Sequence, residues 1–377
     1  MTNFFIIMNL NCNLMCKYCY GESCNDFYDC ENDIKIDYNV PEKIKYNINS
    51  LINFLNKDQN CNIIFYGGEP LLDINLLSLY IQKLNSKNML LHTNGIFLDK
   101  LSINNIMKLN TISISIDGKK EINDYYRGEG VYDKIIKNII NIRKNGYHGE
   151  LIARMTVQEE TDIFENVTHL LSIKYNNMPL FDSIHWQLNA LFWKNDYKRR
   201  NFKDWSLKKY NKGINDLIEL WLKCMKKGTL LRIYPFIGIM YSLIIREKSK
   251  LRCGAGYEEY AIQTDGKIIP CPVMVGMSDY YLGTIFEDNP KSLKNICLKR
   301  ICLKCEIYNI CGGRCLYSNI TMKWGINGFK EVCNTVKFLV YKLLSIQNEV
   351  EELIKNGIIS INDFHNYIKY NSCEIIP

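Results

Sequence analysis

Residues 4–20 read FFIIMNLNCNLMCKYCY, an apolar run followed closely by Cys12, Cys16 and Cys19. A short apolar run that ends in polar residues is typical of a buried β-strand. The three cysteines therefore lie in the loop after a first strand, with the spacing C-x3-C-x2-C. A closed tetrahedral metal site needs four ligands, so this loop supplies one ligand too few to form such a site by itself.

Apolar runs of the same kind recur through the first half of the chain, with amphipathic stretches between them. The runs, which predict strands, span 4–10, 61–69, 88–94, 111–117, 150–157 and 183–190. The amphipathic stretches, which predict helices, span 41–57, 72–86, 98–109, 131–145 and 161–174. Strands that alternate with helices predict parallel βαβ units. The sequence therefore predicts an α/β fold, with an open, partial (β/α)6 TIM-type barrel in place of the closed barrel of eight units.

Short polar and glycine-containing segments follow the predicted strands. The segment GGEP at 67–70 follows the second strand, TNG at 93–95 the third and DG at 117–118 the fourth. Taken singly, each of these segments is typical of a tight turn. In a parallel barrel the loops after the strands meet at one end and carry the chemistry. We therefore expect these segments to lie beside the three-cysteine loop.

The composition excludes several classes of protein. No apolar run reaches the ~18–20 residues that span a bilayer, and the N-terminus lacks the charged region of a signal peptide. A cytoplasmic protein that binds neither membrane nor nucleic acid is expected, because the net charge of +7 is modest and the one basic patch, YKRRNFK at 197–203, is typical of a solvated face. The chain has 16 cysteines, which in that compartment indicate zinc or iron–sulfur clusters rather than disulfides.

The second half of the chain changes character twice. We interpret 1–200 as the barrel, 201–252 as a helical connector, 253–333 as a small cysteine-rich domain and 334–377 as a helical tail. The cysteine-rich segment is short and rich in glycine, so metal binding is expected to hold it together. The amphipathic helix of the tail, at 334–356, is expected to pack on the body of the protein.

The C-x3-C-x2-C loop with Tyr18 before its last cysteine, together with GGEP and the strand–helix alternation, resembles the radical S-adenosylmethionine (SAM) enzymes. The resemblance implies that Cys12, Cys16 and Cys19 bind three irons of a 4Fe–4S cluster, whose fourth iron chelates SAM. It further implies SAM contacts from the following residues: Tyr18, Gly67, Gly68, Glu69, Ser115 and Arg154. By spacing alone, zinc remains an alternative because Cys24 and Cys30 follow.

The later cysteines resemble the SPASM extension of that family, which carries two auxiliary 4Fe–4S clusters. The resemblance implies that one cluster is bound by Cys253, Cys271 and Cys315. The other would be bound by the four remaining cysteines of this region: Cys302, Cys305, Cys311 and Cys333. The expected cofactors are thus three 4Fe–4S clusters and SAM.

The sequence departs from the similar anaerobic sulfatase-maturing enzymes at two places. Those enzymes carry an aspartate base directly after the cysteine that corresponds to Cys271, where this chain has Pro272. They also supply an extra cysteine shortly after the one that corresponds to Cys253, where this chain has Glu258 and Glu259. The first auxiliary cluster would then have three protein thiolates and an iron open to a substrate thiolate, unless Cys297 or Cys224 supplies the fourth.

Further polar residues are candidates that the sequence cannot rank. His92 and His185 are expected to point into the barrel, where the ordinary role of a histidine is structural. Four more residues are candidates to line the cavity: Asp117, Tyr126, Arg127 and Tyr234. The remaining cysteines (Cys24, Cys30, Cys61 and Cys373) are interpreted as small apolar residues rather than ligands. The residue type and spacing identify no catalytic base.

The resemblance implies a peptide-modifying radical SAM oxidoreductase. Reductive cleavage of SAM would give a 5′-deoxyadenosyl radical, and the product would be a cross-link or another two-electron oxidation of a peptide or protein side chain. The expected partners are that substrate and an external low-potential electron donor. Because Cys12 follows a single strand, either a separate protein binds the leader of the peptide or no leader is needed. Sulfatase-type formylglycine formation and a non-catalytic electron-transfer protein are the alternatives.

Overall fold

A computed structural model describes residues 2–21, 34–58, 60–193, 196–296, 298, 300–365 and 376–377. Its strands are β1 (Asn3–Ile7), β2 (Asn62–Tyr66), β3 (Asn88–Thr93), β4 (Thr111–Ser115), β5 (Glu150–Val157), β6 (Lys174–Tyr175), β7 (Met178–Pro179), β8 (Ser183–Leu188), β9 (Glu259–Ile262), β10 (Lys267–Ile269) and β11 (Gly283–Thr284). Its α-helices are α1 (Ile48–Leu55), α2 (Ile74–Lys83), α3 (Ile103–Ile106), α4 (Lys120–Arg127), α5 (Val131–Lys144), α6 (Ile163–Ser172), α7 (Phe202–Trp205), α8 (Asn211–Met225), α9 (Tyr234–Ile244), α10 (Arg300–Leu303), α11 (Tyr308–Cys311), α12 (Leu316–Thr321) and α13 (Gly325–Lys355).

One large sheet organises the described part of the chain, in the order β11-β10-β9-β1-β2-β3-β4-β5-β8. From β1 to β8 every neighbouring pair is parallel, so six parallel strands with helices between them form the predicted partial barrel. The fold class predicted from the alternating pattern is confirmed. The two short strands β6 and β7 form a separate antiparallel hairpin.

Both faces of the sheet are buried, which explains why its strands have continuous apolar sequences rather than alternating ones. In β1, Phe4 and Ile6 belong to the core between the strands and the helices, whereas Phe5 and Ile7 belong to a smaller core inside the barrel. All five residues of β1 are buried. Alternate side chains along one strand therefore serve two different cores.

Five of the six predicted strands end one to three residues earlier than their apolar runs, whereas β5 ends at Val157 as predicted. Predicted helix 98–109 is also interrupted: a short 3₁₀ turn at Leu98–Lys100 precedes α3, and Ser102 caps α3 through its side chain. Helix α1 occupies only the last part of the predicted segment 41–57. Helix α4 lies between two predicted elements and was not anticipated.

The cysteine-rich segment extends the barrel sheet, which the sequence did not predict. Strand β9 pairs in parallel with β1, and β10 and β11 continue the sheet as antiparallel strands. The edge of the first strand is thereby covered, which removes the unpaired backbone groups that an open edge presents. A small apolar cluster that includes Leu251, Met274 and Tyr317 packs beside this extension.

The segment between the barrel and the cysteine-rich region contains α7, α8 and α9, and α13 continues from that region toward the end of the chain. A π-helical turn, Ser206–Tyr210, joins α7 to α8, and α13 packs against α8 and α9. Helix α13 runs without a break across the predicted domain limit between 333 and 334. Within the described ranges, we find no helix with both the length and the apolar character needed to cross a membrane.

Candidate functional site

The glycines after β2 form a continuous backbone contact with the segment that leads into the three-cysteine loop. The N–H of Gly68 donates to the carbonyl of Asn9 at 2.9 Å, and the N–H of Glu69 donates to the carbonyl of Asn11 at 2.8 Å. A Cβ atom at Gly67 would overlap the carbonyl oxygen of Asn9, and one at Gly68 would overlap that of Asn11. Glycine is therefore needed here because two backbones approach more closely than any side chain allows.

Glu69 is buried and links the loops after β2 and β3. Its carboxylate accepts hydrogen bonds from the N–H of Leu71 at 2.9 Å, the hydroxyl of Thr93 at 2.7 Å and the N–H of Asn94 at 2.7 Å. Burial raises the pKa of Glu69 to about 7, and these three donors oppose the shift. These donors use three of the about four lone-pair positions of a carboxylate, and Glu69 also lines the adjacent cavity.

The three-cysteine loop is fixed by its own backbone and by Asn94. The N–H of Cys19 donates to the carbonyl of Cys16 at 2.9 Å, and the N–H of Leu14 donates to the sulfur of Cys12 at 3.4 Å. The amide nitrogen of Asn94 lies 3.7 Å from the same sulfur and also donates to the side chain of Asn13 at 2.9 Å. Burial raises the pKa of Cys16 to about 11.

Asp117 anchors the other side of this loop. Its carboxylate accepts two hydrogen bonds from Arg127, at 2.9 and 3.0 Å, and one from the N–H of Thr156 at 2.8 Å. The hydroxyl of Tyr18, next to Cys19, donates to the same carboxylate at 2.5 Å. Burial raises the pKa of Tyr18 well above its usual value, so the hydroxyl remains a donor.

A cavity of about 360 Å³, the main cavity, opens at this end of the barrel. It is lined by all three cysteines of the loop and by all six residues for which the resemblance implies SAM contacts. Among them, Arg154 forms a hydrogen bond with the ring nitrogen Nδ1 of His92 at 3.0 Å. The structure thus brings together residues from five different parts of the sequence.

A second cavity of about 70 Å³, the inner cavity, lies next to the first. It is lined by Cys253, Cys271 and Cys315, together with the buried carboxylate of Glu259. Burial raises the pKa of both Cys253 and Cys271 well above the usual thiol range, and the nearby acidic groups add to the shift. The described residues that line this cavity include no fourth cysteine.

The two cavities share a wall of eight residues. These are Tyr20, Tyr66, Arg154, Gln187, Leu188, Phe192, Pro272 and Val273. The hydroxyls of Tyr20 and Tyr66 are 2.8 Å apart, and the ring of Tyr20 stacks on that of Phe192 with centroids 5.0 Å apart. A molecule in the main cavity would therefore contact the same side chains that enclose the inner cavity.

The remaining four predicted ligands form another group around α10, α11 and α13. Cys302 and Cys311 are buried, and the amide of Asn319 donates to the sulfur of Cys302 at 3.0 Å. Burial raises the pKa of Cys302 to about 11 and that of Cys333 to about 12. The other cysteines of the group, including Cys305, raise both values further, since nearby thiolates repel one another.

The donor chemistry of these three groups suits iron–sulfur clusters. Thiolates are the ligands that such clusters prefer, and each cysteine binds a different iron of the cluster. Cluster ligands are therefore spaced more widely than ligands of one ion. In the described ranges, no three His, Cys, Asp or Glu side chains are grouped so that they could hold a single metal ion.

Several other candidate residues lie outside the two cavities or bind other side chains of the fold. His185 is fully buried and lines neither cavity, and the hydroxyl of Tyr126 donates to Glu160 at 2.5 Å. Tyr234 donates to Glu150 at 2.8 Å, and Cys61 is part of the core between the strands and the helices. Cys224 lies on α8 and lines neither cavity. Four further cysteines named above lie outside the described residues: Cys24, Cys30, Cys297 and Cys373.

Sequence reasoning missed the roles of Asn94 and Asp117. Asn94 belongs to TNG and Asp117 to DG, segments that were expected beside the three-cysteine loop, and Asp117 was also named as a cavity candidate, but neither residue had an assigned contact. Their positions directly after β3 and β4 were the available signal, because a polar side chain there must face the loops of the neighbouring strands. Nothing in the sequence reveals that Arg127, on the unpredicted helix α4, pairs with Asp117.

Residues 6–171 match the family model described as the radical SAM superfamily. A cysteine-type anaerobic sulfatase-maturating enzyme of Clostridium novyi is 26% identical over 340 residues, which cover 81% of this chain and 85% of that protein.

Two solved structures have a similar fold. One is native anSMEcpe with bound AdoMet and the Kp18Cys peptide, with a TM-score of 0.66, 18% identity and coverage of 92% of this chain and 99% of that one. The other is Streptococcus suis SuiB bound to the precursor peptide SuiA, with a TM-score of 0.53, 16% identity and coverage of 84% and 72%.

Proposed function

Because this chain is a radical SAM enzyme related to the anaerobic sulfatase-maturating enzymes, we propose that it oxidises a side chain of a peptide or protein. One observation carries the proposal: the three-cysteine loop and the six implied SAM contacts line one cavity, which shares a wall with a second cavity lined by three more cysteines. A substrate in the main cavity would lie between the two cysteine groups. This arrangement suits hydrogen removal on one side and electron removal on the other.

Cys12, Cys16 and Cys19 hold the radical-generating 4Fe–4S cluster in this proposal. When bound, that cluster and SAM supply the 5′-deoxyadenosyl radical that removes a hydrogen atom from the substrate. Asp117 holds the loop in place through Tyr18, and Glu69 presents its open lone-pair position to the ammonium group of SAM. Tyr18, Gly67, Gly68, Ser115 and Arg154 complete the binding surface for SAM.

Two auxiliary clusters belong to the proposal. Cys253, Cys271 and Cys315 bind the first, in the inner cavity. The second is bound by Cys302, Cys305, Cys311 and Cys333. The grouping of the cysteines supports this assignment: three line the inner cavity, and Cys305 and Cys311 lie close enough to Cys302 and Cys333 to raise the pKa of these two thiols. A single 4Fe–4S cluster with SAM would leave both buried groups without a function.

The substrate class rests on the relatives. Both solved structures hold a bound peptide, and a cleft of about 360 Å³ is within the usual size range of ligand sites. We also propose that an external low-potential electron donor is a partner of the enzyme. A separate protein that binds the leader of the peptide is the remaining proposed partner.

Formylglycine formation, the activity suggested by the name of the Clostridium novyi relative, is the second candidate. The overall similarity favours it, but Pro272 has no proton-accepting group at the position next to Cys271. Pro272 begins a 3₁₀ turn and lines both cavities. Its side chain is a short apolar ring, so this position cannot supply the carboxylate of an aspartate base. We therefore place cross-linking or a related two-electron oxidation first.

Anaerobic incubation of the reconstituted enzyme with dithionite, SAM and the short peptide encoded nearest to its gene tests the proposal. The expected result is 5′-deoxyadenosine together with a peptide that has lost two hydrogens, located by fragmentation. The variant with Cys12, Cys16 and Cys19 all changed to Ala should release no 5′-deoxyadenosine while it retains the auxiliary iron. Release by this variant would refute the assignment of the radical cluster, and an aldehyde at a cysteine of the peptide would favour the second candidate.

A further inference from the structure

The inner cavity contains a buried carboxylate that its surroundings leave incompletely satisfied. Glu259 is only 2% exposed, and its oxygen Oε2 has no hydrogen-bond partner among the described residues. A buried carboxylate oxygen without a donor or a cation lowers the stability of the folded state. Such a group is uncommon in a folded protein, and it indicates that a ligand completes the site.

The local fold holds Glu259 toward the three cysteines that line the same cavity. Its N–H donates to the carbonyl of Gly254 at 2.8 Å, and its carbonyl accepts from the N–H of Gly256 at 2.9 Å. The loop that contains Cys253 is therefore folded back onto the first residue of β9. The adjacent residue Glu258 is half-buried and does not line the inner cavity.

Two arginines line the inner cavity, and each of them also has a partner other than Glu259. Arg154, on β5, lies within electrostatic reach of Glu259 but also bonds to His92 on the side of the main cavity. Arg314 lines the inner cavity too, and its Nε donates to the backbone carbonyl of Pro377 at 3.2 Å. Cys253 and Cys271 lie close enough to Glu259 for its charge to raise the pKa of both thiols, and neither thiol supplies a positive charge.

We infer that Glu259 is the fourth protein ligand of the auxiliary cluster bound by Cys253, Cys271 and Cys315. This inference rests on the proposed function, because it needs a cluster in the inner cavity. Three thiolates bind three irons, and the Oε2 oxygen binds the fourth. A carboxylate oxygen is a harder ligand than a thiolate, so this iron differs from the other three in its electronic environment.

The assignment has two chemical consequences. The carboxyl group binds iron as the carboxylate, so any proton it carries in the apoprotein leaves when the cluster is inserted. In the resting enzyme the fourth iron is closed to small ligands, whereas a cluster with three thiolates alone would be open. Glu259 thus excludes a substrate thiolate from this iron unless the substrate displaces the carboxylate.

The test uses a chain in which Cys12, Cys16 and Cys19 are changed to Ala, so that only auxiliary clusters remain. In this parent, Mössbauer spectra of protein reconstituted with ⁵⁷Fe should show one iron distinct from the others, and the Glu259→Gln variant should lose it. The reduced Glu259→Gln variant should bind ¹³C-cyanide, detected as a ¹³C coupling in pulsed EPR, whereas the parent should not. Glu258→Gln is the matched control and should behave like the parent.

Each alternative gives a different result. Cyanide binding by the parent as readily as by Glu259→Gln would overturn the inference, and so would the opening of the site in Cys297→Ser or Cys224→Ser but not in Glu259→Gln. Should Glu259→Gln fail to retain the cluster, the variant Glu259→Cys decides: it should retain the iron without the distinct Mössbauer component, and persistence of that component would refute the assignment. The proposed function fails separately when changing Cys253, Cys271 and Cys315 to Ala removes no iron from the parent.

Discussion

The carboxylate of Asp117 and the guanidinium of Arg127 form a buried ion pair with two hydrogen bonds, beside the loop that carries Cys12, Cys16 and Cys19. The same carboxylate accepts the hydroxyl of Tyr18. One charged pair therefore connects β4 and α4 to the three-cysteine loop. Its removal should affect both the stability of the barrel and the retention of the radical cluster.

We expect Asp117→Asn to lower the free energy of unfolding by about 3–5 kcal/mol, because it leaves a buried guanidinium without its counterion. The variant should also retain less iron in the radical cluster, since the amide keeps one acceptor oxygen for the four donors, Tyr18 among them, that share the carboxylate. Anaerobic urea denaturation and iron analysis measure the two effects. Asp99→Asn is the control: it breaks the exposed ion pair with Lys134 and should change stability little. Equal effects of the two variants would contradict the anchoring role of Asp117.

Gly68→Ala should disrupt the three-cysteine loop while leaving the auxiliary groups intact. The added Cβ would meet the backbone carbonyl of Asn11, and neither backbone can yield without breaking the hydrogen bond between Glu69 and Asn11. We expect loss of the iron bound by the three-cysteine loop and of 5′-deoxyadenosine formation, with the auxiliary iron unchanged.

Gly130→Ala controls for the conformational effect of replacing a glycine. Gly130 has a φ of 75°, and a Cβ there would meet no atom within 4 Å, so this variant carries backbone strain without steric overlap. It should retain the iron of all clusters. Equal iron loss in both variants would show that close approach at Gly68 is not the cause.

The partial barrel and the edge at which the site lies follow from the sequence because each has a strong local signal. Continuous apolar runs predict buried parallel strands, and a polar segment after each run predicts a loop at the same edge. The pairing of β9 with β1 is only weakly indicated by the sequence. The four residues of β9, EYAI, follow a cysteine-rich loop, and their pairing with β1 depends on contacts between residues far apart in the chain.

The features of the site that the sequence does not predict are polar contacts between different elements of the fold. The sequence identifies Glu69 as a member of a turn, but its three hydrogen bonds come from two different loops. Likewise, Arg127 and Asp117 are ten positions apart, and only the packing of α4 against the barrel brings them together. Composition and periodicity determine which faces are buried but not which polar side chains meet there.

The stability of the apoprotein should depend on the protonation of Glu69. Burial raises its pKa from 4.5 to about 7, so the folded state retains a proton that the unfolded state has already released. Its contribution to stability is present below pH 4.5 and is lost as the pH rises through 7, by about 3 kcal/mol in total. Glu69→Gln, which cannot ionise, should flatten the pH dependence of the free energy of unfolding between these values, and an unchanged slope would contradict this assignment.

Binding of SAM should favour the ionised form of Glu69, in contrast to burial, which favours the protonated form. The ammonium group of SAM stabilises the carboxylate of Glu69, so its affinity should rise with pH up to about 7 and then level off. Calorimetric titration of reconstituted enzyme with SAM at several pH values measures this trend. Glu69→Gln should bind SAM more weakly at pH 8 and show no rise over the same range. A parallel rise in both proteins would assign the dependence to another group.

Tyr20→Phe should separate SAM cleavage from oxidation of the substrate. Tyr20 lines both cavities, and its hydroxyl shares a hydrogen bond with Tyr66 in the wall between them, so Tyr20→Phe removes this hydrogen bond and leaves the backbone next to Cys19 unchanged. We expect 5′-deoxyadenosine formation to continue, while the yield of modified peptide per 5′-deoxyadenosine falls several-fold because the substrate loses a positioned polar neighbour. Tyr132→Phe, which removes a hydroxyl bonded to His169 away from both cavities, should leave this ratio unchanged. Equal ratios in the two variants would show that the shared wall does not position the substrate.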